Sequence, residues 1–203
     1  MKAQVYWIEG PWPGRLAIVP RPRGGDWLED EVQAWQQTGL DRVVSLLTPD
    51  EVADFDLSKE EAWCQAHDLQ FMSFPIPDRS VPASRNAALA LGHQLEQALA
   101  AGERIAVHCR QGIGRSALLA ACVLVAAGEE PETAFQHISA ARGCAVPETV
   151  EQQEWVKACV PALAIPGKGV WKEWPGKPAL APRKQTTHTE ASSNRATYGA
   201  EKI

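Results

Sequence analysis

Between Ile105 and Ala121 the chain reads IAVHCRQGIGRSALLAA, an apolar run broken by one cysteine, two arginines and two glycines before small apolar residues resume. The chemistry open to these residues follows from their order. A buried strand, a tight loop and a helix aim backbone N–H groups and the positive end of a helix dipole at one point, and an anion belongs there. Gly112 and Gly114 are expected to take positive φ and to let those N–H groups converge with no Cβ in the way. Arg115, opening the helix, offers a planar fork to two oxygens of a phosphate. Cys109 lies at the floor of the loop, where the same field favours its thiolate, the form that attacks phosphorus. Ser116 is placed to donate a hydrogen bond to the sulfur when it later leaves. Arg110, Gln111, Gly112, Ile113, Gly114 and Arg115 are therefore the expected phosphate-binding residues, with Cys109, Arg115 and Ser116 in the chemistry.

Such a loop needs a scaffold. Val5–Ile8 and Leu16–Val19 have the pattern of short strands split by the turn residues of GPWPG. The helical spacing of Leu28, Val32 and Trp35 predicts a helix over Trp27–Gln37, stopped by Gly39 ahead of the apolar run Val43–Leu47. The alternation repeats: a helix over Lys59–His67 leads to a strand over Phe71–Phe74, and a helix over Arg85–Ala101 leads to a strand over Ile105–Val107. Helices over Arg115–Ala127, Pro131–Arg142 and Thr149–Val160 follow, the second with Pro at its first turn and Gly143 just past its end. The expected fold is a single α/β domain whose central, largely parallel sheet is covered by helices, with the phosphate loop between a central strand and a helix.

Composition narrows the function. The chain has 203 residues, enough for one filled core, and a formal charge of −5, which argues against a dedicated nucleic-acid binder. From residue 164 the composition turns to Pro, Gly, Lys, Ser and Thr with no period, so residues 1–163 are expected to be the domain and residues 164–203 a flexible basic tail. That tail holds seven Lys/Arg and three Asp/Glu, leaving 13 and 22 to the body. Its partner, if Trp171 and Trp174 dock anywhere, is unspecified. Five cysteines, at 64, 109, 122, 144 and 159, lack the spacing of a disulfide framework or a zinc site. No stretch approaches the roughly 20 apolar residues of a membrane span. A cytoplasmic location is the expectation.

His108-Cys109-x5-Arg115-Ser116, with Gly112 and Gly114 inside, resembles the signature of cysteine-based protein phosphatases, in the compact dual-specificity style. FPIPDRSVP, Phe74 to Pro82, is similar to that family's general-acid loop and puts Asp78 at the acid position, 31 residues before the cysteine. This order differs from that of low-molecular-weight phosphatases and arsenate reductases, whose acid follows the loop, and rhodanese-like sulfurtransferases do not use such an acid. VPETVEQQEWV, Val146 to Val156, resembles the segment that in several relatives supplies a glutamine near the hydrolytic water, with Gln152 the match. The resemblance implies two steps: Cys109 attacks phosphorus while Asp78 protonates the departing oxygen, then water attacks the phosphocysteine as Asp78 accepts a proton. It implies no metal or other cofactor, and a phosphorylated protein or small phosphate ester as partner. Some relatives guard the nucleophile with a second cysteine, for which Cys64 is the candidate here.

Competing readings stand beside these. Asp78 is also a plausible turn residue, Gln152 an ordinary polar residue on a helix face, and Arg110 either a guide for acidic substrates or a solvated side chain. His108 either shapes the loop through a hydrogen bond or tunes the thiol. Phosphorylated Tyr, Ser or Thr in proteins is the leading substrate class. A phosphoinositide or inositol phosphate is the nearest rival, although its relatives often carry lysines inside the loop and none is present here. A phosphate-reading module without turnover is the alternative from another class.

Overall fold

The computed structural model describes residues 3–163; the expected tail lies outside the described residues. The chain opens with β1 (Tyr6–Ile8) and β2 (Arg15–Val19), and a 3₁₀ turn at Gly25–Trp27 leads into α1 (Leu28–Gln37). β3 (Arg42–Ser45), α2 (Pro49–Asp54), α3 (Glu60–Ala66) and β4 (Gln70–Ser73) follow. α4 (Arg85–Ala100), β5 (Arg104–His108), α5 (Arg115–Ala126), α6 (Pro131–Arg142) and α7 (Val150–Leu163) complete it. The five strands form one sheet in the order β1-β2-β5-β3-β4. β1 runs antiparallel to β2 as the first hairpin, and every other pairing is parallel.

Strand alternation divides the core. Leu16, Ile18, Val44, Ile105 and Val107 face the cluster built with α4, α5, α6 and α7. Ala17, Val19, Val43 and Ala106 face the cluster that holds Leu28, Val32 and Trp35 of α1 and Cys64 of α3. Both faces being covered explains why the parallel strands are apolar without strict polar alternation. α5 is buried along its whole length, which is why its sequence, RSALLAACVLVA, carries no polar face.

The helix over 49–54 is absent from the periodicity, because a six-residue helix with Val52 as its one large aliphatic residue has no apolar stripe. Its start is nonetheless encoded. Thr48 and Glu51 form a reciprocal capping box, and Pro49 occupies the first turn, where its missing N–H costs nothing. α4 is capped by Ser84, whose hydroxyl accepts from the Ala87 N–H. α6 ends on Gly143 in the left-handed conformation. The other elements fall within three residues of the boundaries read from the sequence.

Candidate active site

The loop from Cys109 to Gly114 leaves the buried end of β5 and enters α5 at its N-terminus. It floors a cavity of about 190 Å³ lined by Cys109, Arg110, Gln111, Ile113, Gly114 and Arg115, with Asp78, Arg79 and Glu148 contributed from elsewhere. The residues expected to bind phosphate thus line one pocket with the expected acid, Gly112 excepted, which shapes the loop from behind. Gly112 has φ +70, and a Cβ there would lie 2.8 Å from Ile18 Cγ2, so both conformation and space demand glycine. Gly114 departs from the expectation of positive φ, with φ −90. Its need is for closeness, since a Cβ would come within 3.1–3.2 Å of the Gln152 amide and a Glu148 oxygen.

Ser116 Oγ lies 3.4 Å from Cys109 Sγ, and both side chains are buried. Arg115 is 1% exposed, and most of its guanidinium is committed to the protein. Nη1 donates to Glu51 Oε2 at 2.6 Å, the Ile76 carbonyl at 2.9 Å and the Leu46 carbonyl at 3.4 Å. Nη2 donates to Glu51 Oε1 at 2.8 Å and lies 2.9 Å from Asp78 Oδ1. Burial works against the Arg115 charge, yet its pKa is raised, because the Glu51 hydrogen bonds and the charges of Cys109, Glu51 and Asp78 outweigh that penalty. Asp78 is half exposed and reaches the pocket from the loop between β4 and α4; the next residue, Arg79, has φ +58.

Besides Arg79 and Glu148 on the pocket wall, two residues that hold the site in shape escaped the sequence reading. Glu51 is the first. Its carboxylate serves the capping box and the arginine together, accepting from the Thr48 N–H at 3.0 Å while it grips Arg115. The Thr-x-x-Glu pattern was the available signal, although it speaks only of a helix start. Arg142, the last residue of α6, is the second: Nε donates to the Gly112 carbonyl at 2.6 Å and Nη2 to the Gln111 carbonyl at 3.2 Å, with the guanidinium stacked 3.8 Å from the Tyr6 ring centroid. Fixing those carbonyls fixes the peptide planes whose N–H groups belong to Gly112 and Ile113. No local pattern marks this role.

Two residues expected in supporting roles, Gln152 and His108, occupy more specific positions than the sequence suggested, and a third candidate, Cys64, lies elsewhere. Gln152 is fully buried, and its amide donates to the Ser80 carbonyl at 3.0 Å, so it joins α7 to the loop of Asp78; its Oε1 has no hydrogen-bond partner among the described residues. His108 is buried on the α1/α3 side of the sheet, beside Trp35, with Nε2 2.9 Å from Glu60 Oε1 but off the line of a hydrogen bond. Cys64 calls for a correction: it packs in the cluster of that same face, whereas Cys109 belongs to the cluster of the other, so it does not stand as a guard at the nucleophile.

Comparison with known proteins agrees with this geometry. The sequence family described as Swiss Army Knife protein, DSP-PTPase phosphatase domain, matches residues 3–158. No curated protein matches the chain in sequence. Among solved structures, a kinase-associated phosphatase with its catalytic-site cysteine substituted by serine superposes with a TM-score of 0.71 at 17% identity, covering 80% of this chain and 97% of its own. The active form of Tk-PTP gives 0.65 at 25% identity, with 79% and 99% covered. PTPMT1 in complex with PI(5)P gives 0.58 at 19% identity, with 77% and 96% covered. With the thiol, the arginine and the acid brought to one pocket on this fold, the chain belongs to the Swiss Army Knife family of DSP-PTPase phosphatase domains, which are cysteine-dependent phosphatases.

Proposed function

We propose that the protein hydrolyses phosphate monoesters of tyrosine, serine or threonine in proteins through a phosphocysteine on Cys109, with residues 1–163 as the catalytic domain. The observation that carries this reading is the convergence of Cys109, the Arg115 fork and the Asp78 carboxylate on a single small cavity, with Ser116 Oγ behind the thiol at 3.4 Å from its sulfur. Glu51 occupies one outer side of the Arg115 guanidinium and leaves the Nε–Nη2 edge for two phosphate oxygens. Asp78 now occupies part of that edge. A dianionic phosphate takes its place, which frees Asp78, in its protonated form, to meet the departing oxygen. Cys109 attacks phosphorus, the P–O bond to the leaving group breaks, and Asp78 gives up its proton to that oxygen. In the second step Asp78, now a carboxylate, takes a proton from the attacking water. The Ser116 hydroxyl donates to the sulfur as the S–P bond breaks.

Proteins are favoured over phosphoinositides by the loop interior, which has arginine and no lysine, and by the carboxylates of Asp78 and Glu148 on the pocket wall. The reading includes a reducing, cytoplasmic setting, supported by five thiols that are all free. Phosphopeptide and phosphoinositide panels, assayed beside a generic aryl phosphate, test it. Wild-type protein should release phosphate from the aryl ester and from phosphopeptides, and Cys109→Ser should abolish both. Rapid mixing should show a burst of alcohol that Ser116→Ala enlarges by slowing breakdown of the intermediate. Turnover confined to phosphoinositides would refute the substrate assignment.

A further inference from the structure

Arg110 lines the pocket and Arg21 shares an aromatic ring with it, and among the described residues neither side chain donates to the phosphate loop. Val19 at the end of β2 pairs with His108 at the end of β5, so Pro20–Arg21 and Cys109–Arg110 leave the same edge of the sheet side by side. Parallel sheets bind their ligands at this edge, the carboxyl ends of the strands. The exposed Arg110 guanidinium lies 5.4 Å from the centroid of the Phe55 ring, and that of Arg21 lies 4.0 Å from the same centroid. Phe55 closes α2, the helix whose Glu51 grips Arg115, so the ring is tied to the phosphate cradle. The arginines found in ion pairs are Arg23, Arg42, Arg79 and Arg115; among the described residues no carboxylate pairs with Arg21 or Arg110. Arg15, Arg85, Arg104 and Arg142 are likewise outside the ion pairs of the described residues, so what sets Arg21 and Arg110 apart is the ring they share beside the cradle.

A guanidinium lying on an aromatic face keeps its N–H groups in the ring-parallel plane and has already lost much of its rotational freedom. Arg21 Nη1 donates to the Pro22 carbonyl at 3.1 Å, which leaves its other N–H groups for a ligand. Two guanidinium groups within 5.4 Å of one ring centroid concentrate positive charge there, which suits an oxyanion. The phosphate in the cradle is served by Arg115 and the loop N–H groups, so a pair displaced onto Phe55 addresses something else on the same substrate. We propose that Arg21 and Arg110, laid on Phe55, form a subsite for a second anionic group, a phosphate or carboxylate, on a phosphorylated peptide. The proposal rests on the phosphatase reading above and refines its substrate class. The pocket wall argues for a peptide: phosphates arrayed around an inositol ring would meet Asp78 and Glu148 as well as the arginines, whereas an extended chain presents its second anion on one side.

The test uses the full chain and phosphotyrosine peptides that differ at one residue, placed one to three positions from the phosphotyrosine, as glutamine, glutamate or phosphothreonine. The wild-type protein should prefer the best doubly anionic peptide over its glutamine counterpart by about three- to tenfold in kcat/KM, the scale of an exposed to well-formed arginine–anion contact. Arg21→Gln should remove most of that preference while aryl phosphate turnover stays within about twofold. Added salt should shrink the preference in the unmodified protein, a readout independent of any variant's folding. Equal rates on all three peptides, or an Arg21→Gln loss shared equally by them, overturns the subsite. A preference for a soluble inositol bisphosphate over every peptide, abolished by Arg21→Gln, overturns the peptide as its occupant. Absence of aryl phosphate turnover in the wild-type protein is a separate result that removes the phosphatase reading itself.

Discussion

The Glu51 carboxylate grips both terminal nitrogens of Arg115, at 2.6 and 2.8 Å. This bidentate pair sets which edge of the guanidinium faces the cavity. Burial raises the Glu51 pKa, but the Arg115 and Thr48 hydrogen bonds and the Arg115 charge reverse that and leave it lowered overall. A carboxylate with a lowered folded-state pKa contributes stability above its unfolded pKa and loses it as pH falls through the folded value. The pair therefore holds at neutral pH and opens only on the acid side of the ordinary carboxylate range.

Glu51→Gln is expected to cost activity through geometry, since the amide keeps a capping contact but cannot hold the fork with two charged acceptors. Mispositioning of a catalytic group by about 1 Å costs on the order of 10²-fold, and a loss of about 10- to 100-fold in kcat/KM is the expected outcome. Vanadate affinity should weaken in step. Acid unfolding of the variant should begin at a pH closer to that of the unfolded reference, because one pH-dependent contribution is gone. Unchanged vanadate affinity would confine Glu51 to helix capping.

Thiol chemistry should separate the five cysteines. Burial, with added repulsion from Glu60 and Glu61, pushes the Cys64 thiol up to about 12, and burial likewise raises Cys122 and Cys159. These three are held as neutral thiols at mildly acidic pH and should resist iodoacetate there. Cys144 is exposed and is the one competitor for reagent outside the pocket. In a Cys144→Ser protein at mildly acidic pH, one carboxymethyl group should appear, on Cys109, and phosphate or vanadate should block it. Labelling of Cys64 or Cys122 at a matching rate would contradict the burial described here.

What was legible in the sequence was local. Cys109, Gly112, Gly114, Arg115 and Ser116 form one continuous stretch between an apolar strand and an apolar helix, so the loop and its anion chemistry could be read together. The helices and parallel strands followed from spacing because both faces of the sheet are buried. Glu51 and Arg142 were out of reach for a physical reason: they act on the loop from 64 and 30 residues away, through carboxylate and guanidinium contacts that no periodicity records. Gly114 shows the converse limit, since the glycine was visible but its reason, the nearness of Gln152 and Glu148, is tertiary.

The position of Gln152 makes a distinction measurable. Its amide holds the Ser80 carbonyl, two residues beyond Asp78, while Arg79 and Glu148 bridge the same two segments at 3.2 Å. If Gln152 serves the acid loop, Gln152→Ala should slow esters with poor leaving groups by about tenfold and activated aryl phosphates far less, a modest share of the 10²–10⁴ of general acid catalysis. A residue that orients the hydrolytic water would instead leave the first step intact and enlarge the burst. Rapid-mixing measurements on both classes of ester decide between the two.

Asp78 itself gives the sharpest test, because the role proposed for it depends on how badly the departing oxygen needs a proton. Its carboxylate lies 2.9 Å from Arg115 Nη2 and is half exposed, so it is poised at the pocket and able to swing from the arginine to a leaving group. An alkyl or simple phenol oxygen leaves poorly as an anion, whereas an oxygen on an electron-poor aryl ring leaves readily. Asp78→Asn should therefore lose about 10²–10⁴ in rate on phosphoserine and phosphotyrosine peptides, and much less on an activated aryl phosphate. The same substitution removes the carboxylate that shares the Arg115 edge with phosphate, so inorganic phosphate should bind about two- to tenfold more tightly by relief of that competition. Equal losses on every leaving group, with weaker phosphate binding, would make Asp78 a partner of Arg115 alone and would send the search for the proton donor to Glu148, the other carboxylate on the pocket wall.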